Sequence, residues 1–181
     1  MEIAKAALVA GLLMEEAQGL LRVGLNLIKD MEVLPCQLGW VHRDVKPANV
    51  ILHSSGRPQL VDLGASRQFW DQTDRLMRPL WQPQTRPHHT FAFASLTELI
   101  GRDSTEADDL YCISYSLLAL IHRLLLPTPP YGQRPWPWLQ KKQSHNPTMD
   151  AFLPLPVHQL FSILTTVTYG QKPPYKSLPF A

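Results

Sequence analysis

Cysteine is scarce: the 181 residues contain two, Cys36 and Cys112, and neither lies in a Cys-x-x-Cys or Cys/His metal-ligand spacing. That excludes a disulfide framework and a sulfur-based zinc site, and it points to a reducing compartment. Charge of one sign is missing too. Lys plus Arg total 17 against 15 for Asp plus Glu, a net charge of +2, so neither nucleic acid nor a membrane is implied as partner, and any basic site must be local. No apolar run reaches the roughly 18 residues of a membrane span, because "LLALIHRLLL" is broken by His122 and Arg123. The opening "MEIAKAALVAGLLMEEAQG" has an apolar stretch from Ala6 to Met14, but its start is neutral overall and two Glu follow, which argues against a secretion signal. Together these features imply an intracellular protein, cytoplasmic or nuclear.

The composition, 45% hydrophobic and 18% charged, is that of one ordinary globular domain with a real core. Leu20, Gly24, Leu27, Ile28, Met31 and Leu34 fall on one face of a helix over 17–34, with Pro35 as its expected end. "NVILH" and "PQLVDL", separated by "SSGR", predict a β-hairpin. Residues 65–90 show no period and carry Arg67, Arg75, Arg78 and Arg86, the pattern of a long irregular surface segment. From Asp108 to Leu126 apolar residues occupy every face, which predicts a helix buried all round, with Thr105 and Asp108 capping its start. The proline-loaded "PTPPYGQRPWPW", whose Trp136 and Trp138 are expected to pack against the domain, leads to a last helix over 156–169.

The densest chemistry lies in "WVHRDVKPANVIL", Trp40 to Leu52. Transfer of a γ-phosphate needs a carboxylate beside the attacking hydroxyl, positive charge on the phosphate and oxygen ligands for Mg²⁺. Asp44, Lys46 and Asn49 supply one of each within a single loop: Asp44 to orient the hydroxyl, Lys46 to hold the phosphate, Asn49 to ligate metal through its amide oxygen. "VDLGAS" adds Asp62 where the hairpin returns, as a second metal ligand, with Gly64 to let the backbone turn away.

These motifs resemble the C-terminal lobe of eukaryotic-type protein kinases, with "HRDVKPAN" as catalytic loop and "DLG" as metal-binding motif. The resemblance implies a mainly α fold with a small β-hairpin, a kinase-like C-lobe (α+β) with the N-lobe absent, covering 1–181 as a truncated kinase domain. Its parts would be an added helix over 1–16, the catalytic loop and hairpin over 40–64, an activation segment over 65–95 and a buried central helix over 108–126. It implies ATP and Mg²⁺ as cofactors, Asp44, Lys46 and Thr90 as catalytic residues, Lys46, Asn49, Ile51 and Asp62 at the nucleotide, Asn49 and Asp62 at the metal, and His42, Arg43, Gly64 and Asp109 as structural or regulatory residues. Thr90 comes from "HTFAFAS", similar to the "GTxxYAS" of the casein kinase 1 group, and Asp109 from "ADDLYCISYSLLAL", similar to that group's "DDLESLGYVL". With "YGQKPPYKSL" against "KPDYxxL", these make casein kinase 1 or the vaccinia-related kinases the nearest resemblance. Lys46 is the serine/threonine-type residue, so a protein substrate is implied. The arginines of 65–90, with Arg43, would favour an acidic or phosphorylated one.

Three departures stand out. Leu63 replaces the usual Phe, His89 stands where the group has Gly, and no "APE" closes the activation segment. A Gly-rich phosphate loop, a strand Lys and its helix Glu partner are not found in these residues. Without them roughly 100 Å² of adenine-facing surface stays wet and a charge-assisted phosphate bond is lost, about a thousandfold in nucleotide affinity. The expectation is a serine/threonine protein kinase C-lobe that is weakly active or inactive alone, or is completed by an upper-lobe or regulatory partner chain. The alternatives are a non-catalytic kinase-like binding module and a small-molecule phosphotransferase, whose families share an H-x-D-x-x-x-x-N core.

Overall fold

The computed structural model describes residues 2–69, 93–125 and 154–178. The described part is mostly helical. Helix α1 runs Glu2–Leu38 and is followed by β1 (Trp40–Val41), β2 (Val50–Leu52), β3 (Pro58–Leu60) and β4 (Arg67–Gln68). Then come α2 (Leu96–Leu99), α3 (Glu106–Leu125) and α4 (Leu155–Leu164). The strands form two antiparallel pairs, β1 with β4 and β2 with β3.

The core forms where α1 meets α3 and α3 meets α4. Leu27, Ile28 and Met31 project from one face of α1, with Leu34 partly buried one turn on, onto Leu110, Ile113 and Leu117 of α3. Leu160 and Leu164 of α4 close the cluster, and Tyr175 and Leu178 complete it. Each such side chain removed from water contributes about 1.5 to 3 kcal/mol. Gly24 sets the spacing, since a Cβ there would collide with the Leu117 methyls. As its sequence predicts, α3 is buried on several faces, through Leu110, Cys112, Ile113, Ser114, Leu117 and Ile121.

The structure departs from sequence expectation at several ends. Pro35 does not end α1, which continues to Leu38 as one helix with residues 2–16. Proline's φ suits a helix even where its missing N–H costs one bond. The stop comes at Gly39, whose φ of 71° is left-handed and turns the chain into β1. "GWVHRD", expected as loop, contains β1, which finds its partner Arg67–Gln68 far along the chain. Helix α4 ends at Leu164, before the expected 169, where Thr165 and Thr166 hydroxyls donate to the Ser162 and Ile163 carbonyls and compete with helix propagation. The expected hairpin is present, Val50 opposite Leu60 and Leu52 opposite Pro58, with Gly56 at φ 77° in its turn. The tryptophans of "RPWPW", Thr90, and most of the basic segment lie outside the described residues.

Candidate functional site

The loop between β1 and β2 is held from below by one side chain. Asp109, fully buried in the first turn of α3, accepts the His42 N–H at 2.6 Å on Oδ2 and the Arg43 N–H at 2.8 Å on Oδ1. Burial pushes its pKa up to about 8, against the pull of the Arg43 and His42 donors. This grip holds Arg43 at a φ of 73°, a left-handed conformation unfavourable for a side chain of that size. Asp62, at φ 66°, is the other non-glycine residue with a left-handed φ among those described. Backbone strain of this kind persists where surrounding structure over-determines it, and it gathers at functional sites.

His42 ties the loop to the hairpin. Its Nε2 lies 3.1 Å from the Val61 carbonyl, and its Nδ1 accepts the Asp44 N–H at 3.3 Å. These bonds select the neutral Nε2–H tautomer. Burial lowers the imidazole pKa in agreement, although the Val61 bond and the charges of Asp44 and Asp62 oppose it.

Asp44, Lys46 and Asn49 come together. Lys46 Nζ stands 2.6 Å from Asp44 Oδ2, and Asn49 Nδ2 donates to the Asp44 carbonyl at 2.8 Å and to Oδ2 at 3.2 Å. Both cross-links fall on the Oδ2 side, leaving Oδ1 without a hydrogen bond among the described residues. With its amide nitrogen so committed, Asn49 keeps its amide oxygen for another partner. A turn over Pro47–Asn49 builds the bend, and Val61 N–H donates to the Asn49 carbonyl at 2.8 Å. That bond ties Val61, the residue before Asp62, to Asn49. Asp62 is exposed, and its Oδ1 accepts only a long bond from Gly64 N–H, at 3.4 Å.

A carboxylate and an amide oxygen suit Mg²⁺, a hard ion that fills its shell with waters and substrate phosphates rather than a full protein cage. Asn49 and Asp62 would hold it, and it would neutralise charge on a bound phosphate. No cluster of three or more His, Cys, Asp or Glu suited to a metal occurs among the described residues. Ile51 is 46% exposed and Leu63 58%, so both offer apolar surface to solvent. Thr90 lies outside the described residues.

One residue that sequence reasoning missed is Glu98. Its Oε2 accepts the Ser95 N–H at 2.8 Å while Ser95 Oγ accepts the Glu98 N–H at 3.1 Å, and its Oε1 accepts Ser104 Oγ–H at 2.7 Å. Burial raises its pKa. Thus a buried carboxylate ties Ser95 to Ser104 from a capping box at the start of α2. The Ser-x-x-Glu spacing at 95–98 was the available signal.

Comparison with known proteins agrees with the coarse reading. No known family profile matches the chain. It is 26% identical over 122 residues to the dual specificity mitogen-activated protein kinase kinase sek-1 of Caenorhabditis elegans, spanning 67% of this chain and 33% of that protein. To the probable serine/threonine-protein kinase samkB of Dictyostelium discoideum it is 24% identical over 134 residues, 72% of this chain and 19% of the relative. A shorter match, 50% over 40 residues, links it to the serine/threonine-protein kinase SSN3 of Pyricularia oryzae, at 22% of this chain and 8% of the relative. The chain therefore spans a third or less of the length of these relatives. The likeness to serine/threonine and dual-specificity protein kinases is weak and partial, covers about two thirds of the chain, and gives no support to the narrower casein kinase 1 or vaccinia-related grouping. The mostly helical fold with its small antiparallel pairs is compatible with a kinase C-lobe. No helix among the described residues is long and apolar enough to cross a membrane.

Proposed function

We propose that this chain carries the catalytic-loop half of a serine/threonine protein kinase and acts in ATP-dependent phosphoryl transfer to protein hydroxyls. One observation carries the reading: Lys46 Nζ and Asn49 Nδ2 converge on Asp44 while its Oδ1 makes no hydrogen bond among the described residues. In this reading Oδ1 receives the substrate hydroxyl, Lys46 balances charge on the phosphate, and the neutral His42 holds the loop against the hairpin. Asn49 and Asp62 hold Mg²⁺, Ile51 lies against the nucleotide, and the resemblance of "HTFAFAS" adds Thr90 to the catalytic residues. The buried guanidinium of Arg43 supports an acidic or phosphorylated protein substrate.

A glycine-rich loop and a strand lysine are not among these residues, so the groups that hold adenine and the α/β-phosphates come from elsewhere. The exposed Ile51, Leu52 and Leu63 support an upper lobe or partner chain that covers them. Calorimetric titration of the 181-residue chain with ATP tests this, with and without Mg²⁺. Weak, Mg²⁺-dependent binding that Asp62→Asn removes is the expected result. Binding that ignores both Mg²⁺ and Asp62 overturns the assignment of the site.

A further inference from the structure

Helix α1 is longer than the helix it packs against. The buried Asp109, in the first turn of α3, holds the His42 and Arg43 N–H groups just past the end of α1. Eight residues further along α3, Leu117 meets Gly24, which lies fourteen residues back from Leu38. The two helices therefore run antiparallel, and the start of α1 points toward the end of α3.

Their lengths do not match in that direction. From Leu117, α3 has eight residues left before it ends at Leu125, about 12 Å at the helical rise, whereas α1 extends 22 residues from Gly24 back to Glu2, about 33 Å. About 14 residues of α1, roughly 2–15, thus outrun α3. The other elements against which α1 chiefly packs, β1 and β3, belong to its opposite end: β1 follows Leu38 through Gly39, and Arg57, just before β3, pairs with Asp30. Among the described side chains, those of α1 join the core from Val23 onward, and Glu15, Glu16, Gln18 and Gly19 are exposed.

The overhang coincides with an unbroken apolar run. Residues 6–14, "AALVAGLLM", carry no charge, with Lys5 before them and Glu15 and Glu16 after. The run is too short to span a bilayer, and a helix apolar all round is normally covered. It is also its own complement. Two copies laid antiparallel about Ala10 bring position 6 level with position 14, and position 5 level with position 15. Lysine then stands level with glutamate at both ends, so a single register serves the apolar run and the charges together, as a two-fold interface requires.

We propose that residues 2–15 of α1 form a dimerisation arm that pairs antiparallel, about a two-fold axis at Ala10, with the same segment of a second copy of this chain. Two paired helices of this length bury on the order of 1,000 Å² in total, the threshold of a specific interface, so association is micromolar and reversible. The pairing is independent of phosphoryl transfer.

Sedimentation equilibrium of the 181-residue chain, from about 1 to about 100 µM, is the test. A monomer–dimer equilibrium is expected, with the mass rising from 20.6 kDa toward twice that value. Lys5→Glu sets like charges level at both ends and weakens the dimer about tenfold, as does Glu15→Lys with Glu16→Lys. Combining the three reversals restores opposite charges and the original dissociation constant. A chain that stays monomeric over the whole range, an assembly larger than a dimer, or reversals that do not rescue each other overturns the proposal. A monomer that sediments with phosphatidylcholine vesicles assigns the arm to a lipid surface, and a monomer that Leu12→Glu destabilises assigns it to cover within the same chain; either result also overturns it. Should Lys5→Glu fail to fold, Glu15→Lys with Glu16→Lys, both at exposed positions, decides alone, and an unchanged dissociation constant there overturns it.

Discussion

Two groups of carboxylates lie at the ends of one tether, and they are treated in opposite ways. At the junction of α2 and α3, Glu98, Asp108 and Asp109 are buried, and their hydrogen-bond donors are neutral: backbone N–H groups, hydroxyls and the Cys112 thiol. In the loop and hairpin, Asp44 faces an ammonium and Asp62 faces water. The first group spends its oxygens on the fold. The second leaves coordination open, as a ligand site requires. What separates structure from chemistry here is whether the partners are already inside the protein, since both groups use the same residue type.

Removing the buried anchor should therefore cost most. Asp109→Ala orphans two buried N–H groups at about 1 to 3 kcal/mol each, and loss of about 3 kcal/mol or more is expected in urea unfolding. Glu98→Ala breaks a capping box and leaves the Ser104 hydroxyl without its acceptor, for about 2 kcal/mol. If Asp44→Ala matched Asp109→Ala in stability, the contrast between the two groups would be wrong.

Titration sharpens the same contrast. Between the ordinary carboxyl value of 3.8 and about 8, the folded chain keeps a proton on Asp109 that the unfolded chain has released. Its contribution is therefore full on the acid side and is lost as pH rises toward about 8. Burial raises Glu98 and Asp108 in the same direction. His42, lowered by burial from 6.5, acts oppositely, and its contribution is lost as pH falls through its folded value. The urea midpoint should thus decline from pH 6.5 toward pH 8, by at most about 1.4 kcal/mol per pH unit for each group. Asp109→Asn should flatten that decline, and a midpoint that rises over the interval would contradict the assignment.

The two groups were unequally legible in the sequence. Asp44, Lys46 and Asn49 sit within one loop, so their spacing alone brings them together, and Asp62 follows on a hairpin whose strands and turn residues are local signals. The α1 and α3 faces were readable because burial imposes a period. Strands β1 and β4 were not, since two residues carry no alternation and their pairing depends on a distant partner. Pro35 misled because helix termination is settled by Gly39, where the backbone turns, rather than by the loss of one donor. The bridge from Arg67 to Asp103 joins residues 36 apart in sequence, and only the folded chain brings them together.

At the open group, stability and chemistry should separate. Asp44→Asn is expected to cost less than about 1 kcal/mol, because Lys46 can turn toward water when its partner is neutral. In any assembly where transfer is measurable, the same substitution should lower turnover about a hundredfold or more. Comparable losses in both would make Asp44 a second anchor rather than a reactive group.

The smallest effect belongs to a charge pair that resembles neither group. Arg57 Nη2 lies 2.9 Å from Asp30 Oδ1 and links the hairpin turn to α1, but the Arg57 side chain is 69% exposed. Water screens the attraction, and holding two mobile side chains in register offsets much of what remains, so Arg57→Ala should change stability by about 0.5 kcal/mol or less. That remnant should vanish in high salt, because exposed pairs lie within reach of counter-ions, whereas the cost of Asp109→Ala, which comes from unpaired N–H groups, should not. Urea midpoints of both variants at low and high salt make the comparison, and a salt-independent loss of more than about 1 kcal/mol for Arg57→Ala would show that the hairpin is oriented by this bridge rather than by the His42 bond to Val61.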